Sequence, residues 1–357
     1  MQKYLFTVFI SILLLLSSCN SSTDNTPQPY SSGVIVVNAG NFTDNNGSIS
    51  FINRSTNVVT FNTFNKENNR DLGGALQYYT EIAGKGYALV DNSTGQDKIE
   101  VIDSATMKSL GTIQDADLVN PRYLIPFGTD KAYLSYWGSL NADYSFKQGF
   151  VALIDLTTLK ILKKIPVGKG PEQMEIAGNE LFVTNQGDDT KLTIINTETN
   201  LSQNLTMGYN PKAIATDANG KLWILANNMM YRINPQTKAI EKSLKVGTHP
   251  EKEASNLTLS ADKKTFYFTY SFYDGADNYK LKGETYSFGI EDSSIPANKP
   301  LINKVLTGLG FDPNQQLIYA GFTPSYKQAG YVYRYKPTGT LVDSIKVEIA
   351  PSGFYFR

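Results

Sequence analysis

One histidine, one cysteine and two tryptophans among 357 residues leave little material for several kinds of chemistry. His249 alone cannot build a site that needs two or three imidazoles, as most catalytic zinc centres and many other transition-metal centres do. Cys19 alone excludes an intramolecular disulfide and cysteine-based structural zinc. Basic and acidic side chains balance at 33 each, with no long Lys/Arg run. Nucleic acid is therefore excluded as a partner, since phosphate binding needs a basic face to displace counterions. There is no Gly-x-Ser-x-Gly elbow, and the one histidine precedes Pro250, where a turn residue explains it. Nucleophilic triads have no support, and the chain reads as a binding protein and not an enzyme.

What is present begins with an address. Lys3 gives a short positive start, Tyr4 to Leu16 an apolar run, and Leu16-Ser17-Ser18-Cys19 a lipobox. Residues 1–18 are expected to be a lipoprotein signal peptide, and Cys19 the lipidated mature N-terminus. Two or three acyl chains of the palmitate kind anchor stably where one would not. The run is short for a membrane span of about 20 residues. Residues 19–32, rich in Ser, Thr, Asn and Pro, are expected to form a flexible tether. Residues 33–357 form the folded domain.

Past residue 32 the apolar residues come in short alternating runs bounded by Gly, Asn, Asp and Pro, the pattern of strands. Two signatures recur. One is an Asx-x-x-Thr turn, at Asn53 to Thr56, Asp103 to Thr106, Asp155 to Thr158, Asn196 to Thr199 and Asn234 to Thr237. The Asx side chain can cap its own turn, which is a physical reason for the recurrence. The other is a proline opening a strand, at Pro121, Pro171, Pro211, Pro250 and Pro351, often after a Val-Gly or Met-Gly pair. A period near 40 to 50 residues with about four short strands per unit marks a β-propeller. The units are 76–113, 120–167, 171–206, 211–246, 250–306 and 308–348. The stretch 33–64 supplies three more strands, and Pro351 to Arg357 reads as the strand that completes them. The fold class is therefore all-β, a seven-bladed β-propeller closed by pairing of its N- and C-terminal strands. The irregular regions 64–76 and 284–308 leave six and eight blades open.

In such a blade the first-to-second and third-to-fourth turns share one face, and the second-to-third loops share the other. The first set is tight here. The second set is long and dissimilar: 38–47, 91–98, 136–149, 185–191, 271–283 and 323–330. Long, unlike loops on a rigid scaffold are where binding usually resides. They carry Phe42, Tyr136, Trp137, Tyr144, Phe146, Phe272, Tyr273, Tyr279 and Tyr326, which as exposed aromatics would bring contact area at low entropic cost. Arg122, Glu172, Gln173, Lys212, Glu251 and Lys252, near the blade-opening prolines, should lie around the mouth of the central channel and fix a ligand's polar groups. The candidate ligand-binding set is thus Phe42, Arg122, Tyr136, Trp137, Tyr144, Glu172, Lys212, Glu251, Tyr273 and Tyr326. No metal is required: Asp44 to Gly47, Asp188-Asp189 and Asp274 with Asp277 offer oxygen atoms but lack the full spacing of a calcium loop. Carboxylate-dependent lactonase chemistry through Glu172, Glu175 or Glu251 is the enzymatic alternative. A protein- or glycan-binding surface scaffold is the other.

Val37-Asn38-Ala39-Gly40-Asn41-Phe42, followed by Gly47-Ser48-Ile49-Ser50, resembles the opening of a YncE-like family of β-propeller surface lipoproteins of Bacteroidetes. The Val-Gly-x-x-Pro and Asx-x-x-Thr elements look like its repeats. The resemblance covers the chain from about Gly33 to Arg357. It implies anchoring in the outer membrane at the cell surface beside a TonB-dependent transporter. Through its BtuG-type members it also implies cobalamin as the small molecule captured. It assigns no contact residues.

Overall fold

The computed structural model describes residues 28–187, 189–296 and 298–357. The signal peptide, Cys19 and most of the expected tether lie outside the described residues. Among those described, no helix is long and apolar enough to cross a membrane.

Seven antiparallel sheets form the blades. Blade 1 runs Pro351–Phe356, Gly33–Asn38, Ser48–Asn53, Val59–Thr60 from its first strand to its last. Blades 2 to 5 follow in simple meanders that begin at Ala75–Ile82, Pro121–Phe127, Pro171–Ala177 and Pro211–Thr216. Blade 7 spans Gly308–Asp312 to Leu341–Ile349. The closure read from the termini is present: Val34 pairs with Phe356 and Val36 with Phe354. The C-terminal strand thereby covers the edge that Gly33–Asn38 would otherwise present, and the remaining inner strands face the channel, where edge-to-edge association with another chain is blocked.

The two irregular regions have physical explanations. Between blades 1 and 2 the chain makes a single short helix, Thr63–Asn68, capped by the Asn62 side chain. Its Phe64 is fully buried against the blade 1 and blade 2 core. Blade 6 has three strands, Glu253–Leu259, Thr265–Asp274 and Lys280–Gly289. The expected fourth is reduced to one bridge between Thr285 and Ile302. The blade also starts at Glu253, three positions after the proline that was expected to open it. In exchange its second and third strands are ten residues each and pair along their whole length, from Thr265 with Gly289 to Asp274 with Lys280.

The Asx-x-x-Thr turns cap themselves as expected. The Oδ1 atoms of Asn53, Asp103, Asp155, Asn196 and Asn234 each accept the backbone N–H of the Thr three residues on, at 3.1, 2.8, 2.8, 2.8 and 3.3 Å. Each Thr is followed by a residue in the left-handed region, namely Asn57, Met107, Leu159, Asn200 and Lys238. The side-chain bond to the preceding amide offsets that conformational cost. These turns define one face of the disc, the turn face.

Between the blades, alternate strand positions interdigitate. Trp223, wholly buried, packs on Phe266 and Phe288 of the next blade and donates Nε1–H to Asp217 Oδ2 at 2.8 Å. At the N-terminal edge Tyr30, expected in a loose tether, is 2% exposed. It stacks edge-on against Phe51, donates its hydroxyl to Glu67 at 2.6 Å, and its N–H bonds Ala105 O at 3.3 Å. Ala105 belongs to an Asx-x-x-Thr turn, so the chain joins the propeller on the turn face.

Candidate functional site

The first strand of each blade lines the central channel, and six of the seven are irregular near the loop face. Pairing slips between Leu76 and Tyr78, Pro121 and Tyr123, Pro171 and Met174, Pro211 and Ala213, Ser255 and Thr258, and opposite Pro351. A bulge re-aims side chains and breaks strict alternation. The prolines contribute by lacking the N–H a ladder would use, and Asn120, Gly170, Asn210 and Ala350 before them adopt positive φ. The consequence is that neighbours in sequence, such as Arg122 with Tyr123 and Glu172 with Gln173, face the same cavity. That cavity, of about 300 Å³, receives side chains from all seven inner strands.

Polar groups crowd one side of its mouth. Glu172 Oε1 accepts Arg122 Nε at 3.1 Å and Trp137 Nε1 at 3.0 Å, and a short bond from Gln186 Nε2. Arg122 Nη1 donates to Gln77 Oε1 at 2.7 Å, and Gln77 Nε2 donates to Asp91 Oδ2 at 3.3 Å. The guanidinium lies 4.1 Å from the Trp137 ring centroid, a cation–π contact. Burial pushes Glu172 above the ordinary carboxylate range, opposed chiefly by Arg122. Burial, then the nearby Asp97 carboxylate, push Asp91 up to about 6. Burial raises Asp97 too, although it accepts the N–H groups of Asn92 at 2.7 Å and Asn120 at 2.6 Å. Deeper in the channel Tyr78 and Tyr123 pack with ring centroids 4.9 Å apart, and burial pushes Tyr78 up to about 12.

A second concavity of about 470 Å³ opens on the loop face between blades 6 and 7 and shares Lys212, Ser255 and Asn256 with the channel. The long blade 6 hairpin supplies Phe272 and Tyr273, and the blade 7 loop supplies Tyr326.

The ten candidate residues therefore divide. Arg122, Glu172 and Lys212 line the channel, and Trp137 bonds and stacks onto its wall. Lys212, Glu251, Tyr273 and Tyr326 line the lateral groove. Phe42 and Tyr144 are exposed, at 50% and 82%, but line neither. Tyr136 is a correction: it is 1% exposed, packed in the core between blades 2 and 3 and stacked on Phe150 at 5.5 Å. It ends a strand, so its ring points into the core while Trp137, the next residue, turns to the channel. Lys252 also departs from the channel set, pairing instead with Glu284 at 2.6 Å. Gln77, Gln186, Asp91 and Asp97 were not singled out from the sequence. Gln186 lies just beyond the strand end at Asn185, in a position equivalent to Trp137, and that equivalence is the signal that was available.

Among the described residues no three His, Cys, Asp or Glu side chains group as metal ligands. Asp274 and Asp277 are both held by Lys282 Nζ, at 2.8 and 2.9 Å. Asp188 lies outside the described residues. Glu175 accepts Thr216 Oγ1 at 3.1 Å and sits apart from the Glu172 network.

The family described as "Domain of unknown function (DUF5074)" matches residues 32–357. No curated protein matches the chain. Among solved structures, a quinonprotein alcohol dehydrogenase-like protein from Bacteroides thetaiotaomicron is similar at a TM-score of 0.67 and 14% identity, over 92% of this chain and 78% of that one. Hydrazine synthase from Kuenenia stuttgartiensis gives 0.57 and 15%, over 78% of this chain and 88% of that one. A protein of unknown function from Bacteroides caccae gives 0.50 and 10%, over 74% and 93%. At such identities the likeness is one of fold, and a propeller fold hosts many functions.

Proposed function

The chain belongs to the DUF5074 family, and on that premise we propose that it is a surface lipoprotein that captures a small molecule at the loop-face mouth of its channel. The observation that carries this reading is the convergence of Arg122, Glu172 and Lys212 on one cavity, with Trp137 stacked at its rim. A few fixed polar groups set in a partly apolar concavity are what a small-molecule site requires. The Glu172 hub holds Arg122, Trp137 and Gln186 in place before any ligand arrives, which reduces the ordering cost of binding.

The attachment side supports the same reading. Tyr30 is pinned on the turn face, so a lipid on Cys19 would hold that face toward the membrane and turn the channel mouth outward. In this proposal the protein sits on the outer membrane and passes its ligand to a TonB-dependent transporter docked over the loop face. The YncE-like resemblance makes cobalamin the first ligand to try. The full chain in detergent is expected to carry cyanocobalamin through size exclusion, with the visible absorbance co-eluting, and to lose it when Trp137→Ala opens the rim. Absence of co-elution at micromolar ligand would remove cobalamin as the cargo.

A further inference from the structure

We infer that the lateral groove between blades 6 and 7 is a second binding site, for a neutral disaccharide, beside whatever the channel takes; it rests on the reading of this face as the binding face. Its volume of about 470 Å³ is in the ordinary range for small-ligand sites, roughly 300–1,000 Å³.

One wall is aromatic. Tyr273 and Tyr326 are 59% and 52% exposed, and they border the groove from the two blades on either side of it. Both supports are braced. Lys282 ties Asp274 to Asp277 beneath the hairpin tip, and Asn41 Nδ2 bonds Tyr326 O at 3.2 Å. Fixed, solvent-facing rings of this kind offer a flat apolar surface at little entropic cost. The carbon-bound hydrogens on one face of a sugar ring can lie against such a surface.

The opposite wall and floor are polar. Lys212 Nζ is already engaged by Glu253 Oε2 at 3.3 Å. The Glu251 carboxylate has no partner among the described residues. Ser255, Asn256 and Thr307 add hydroxyl and amide groups. A phosphate or carboxylate ligand would meet an excess of negative charge and a lysine already paired. A lipid tail would strand these polar groups without hydrogen bonds. A sugar supplies donors for the carboxylates, both donors and acceptors for Ser255, Asn256 and Thr307, and a weakly polar face for the tyrosines.

The test is calorimetric titration of the full chain in detergent with a panel of neutral disaccharides: maltose, cellobiose, mannobiose and xylobiose. At least one is expected to bind. The Tyr273→Ala/Tyr326→Ala double variant should weaken it by about tenfold or more. Tyr273→Phe/Tyr326→Phe should retain most of it, because the rings remain, and also controls for folding. Trp137→Ala, which is expected to abolish channel binding, should leave it unchanged, so failure of the groove and failure of the channel read out separately. Added salt should have little effect on a neutral ligand. Failure of every disaccharide at millimolar concentration would overturn the inference. So would binding that survives loss of both rings, or a groove that prefers putrescine and releases it with salt.

Discussion

Deletion of Pro351 to Arg357 is expected to abolish cooperative folding. The segment is a single strand, but it is the innermost strand of blade 1, and it is the only covalent route by which the last blade meets the first. Phe354 and Phe356 pack on Tyr319 of blade 7 at 5.8 and 5.3 Å. Burying half-exposed rings contributes about 1–2 kcal/mol each. Arg357 forms a short ion pair with Glu81 of blade 2, and its backbone oxygen accepts Arg54 Nη1 at 2.5 Å. The Glu81 side chain is 13% exposed, and removing one member of a largely buried pair costs about 3–5 kcal/mol. Deletion would also uncover the ladder edge of Gly33–Asn38. These losses are comparable to the whole stability of a domain, about 5–15 kcal/mol. Circular dichroism during heating should show a broad, non-cooperative transition. A sharp melt within a few degrees of the intact protein would mean that the ring does not depend on this closure.

Arg122→Ala is expected to destabilise by about 3–5 kcal/mol near neutral pH, because it leaves Glu172 buried without its cation. The loss should depend on pH in a defined direction. Burial already raises Glu172, and Arg122 is the largest influence opposing that rise. Without Arg122 the folded-state pKa climbs further, while the unfolded chain titrates in the ordinary carboxylate range. Between those two values the folded state holds a proton that the unfolded state has released, so stability falls as pH rises through the window. Below the ordinary range the carboxyl is neutral in both states and that penalty vanishes. Asp91 and Asp97, both raised by burial, impose a slope of the same sign on the parent protein. The informative quantity is therefore the difference between variant and parent in urea unfolding at about pH 4.5 and about pH 7.5. That difference should shrink with acid, and adding Glu172→Gln to Arg122→Ala should recover part of it. A deficit independent of pH would place the effect in lost packing on Trp137.

The fold was open to reading because its determinants are local and repeated. Each Asx-x-x-Thr turn is a few residues long and caps itself, so five of them mark five blades without reference to anything distant. The terminal closure followed from an unpaired strand at each end. Blade 6 was harder, because Ile302 makes one bridge where a strand was expected; the chain there has apolar residues but no alternating run. The site was legible only in part. Residue type and loop length put aromatics on the loop face, but they did not tell Tyr136 from Trp137, whose opposite directions depend on where the strand ends. The bulges that bring Arg122 and Glu172 into one cavity arise where a strand-opening proline meets the pairing with the next strand, and the prolines alone did not show which side chains would turn inward. The lateral groove joins positions as far apart as Lys212 and Tyr326, and no local pattern links them.

The loop-face assignment is tested most directly by what the protein retains from an extract of its own source cells. Full-length wild type, Trp137→Ala and the turn-face variant Asp155→Ala would be immobilised in detergent, exposed to the extract, washed and eluted for mass spectrometry of small molecules. The prediction is a compound held by wild type and Asp155→Ala but depleted about tenfold or more in Trp137→Ala. Equal retention by all three, or loss only in Asp155→Ala, would contradict it.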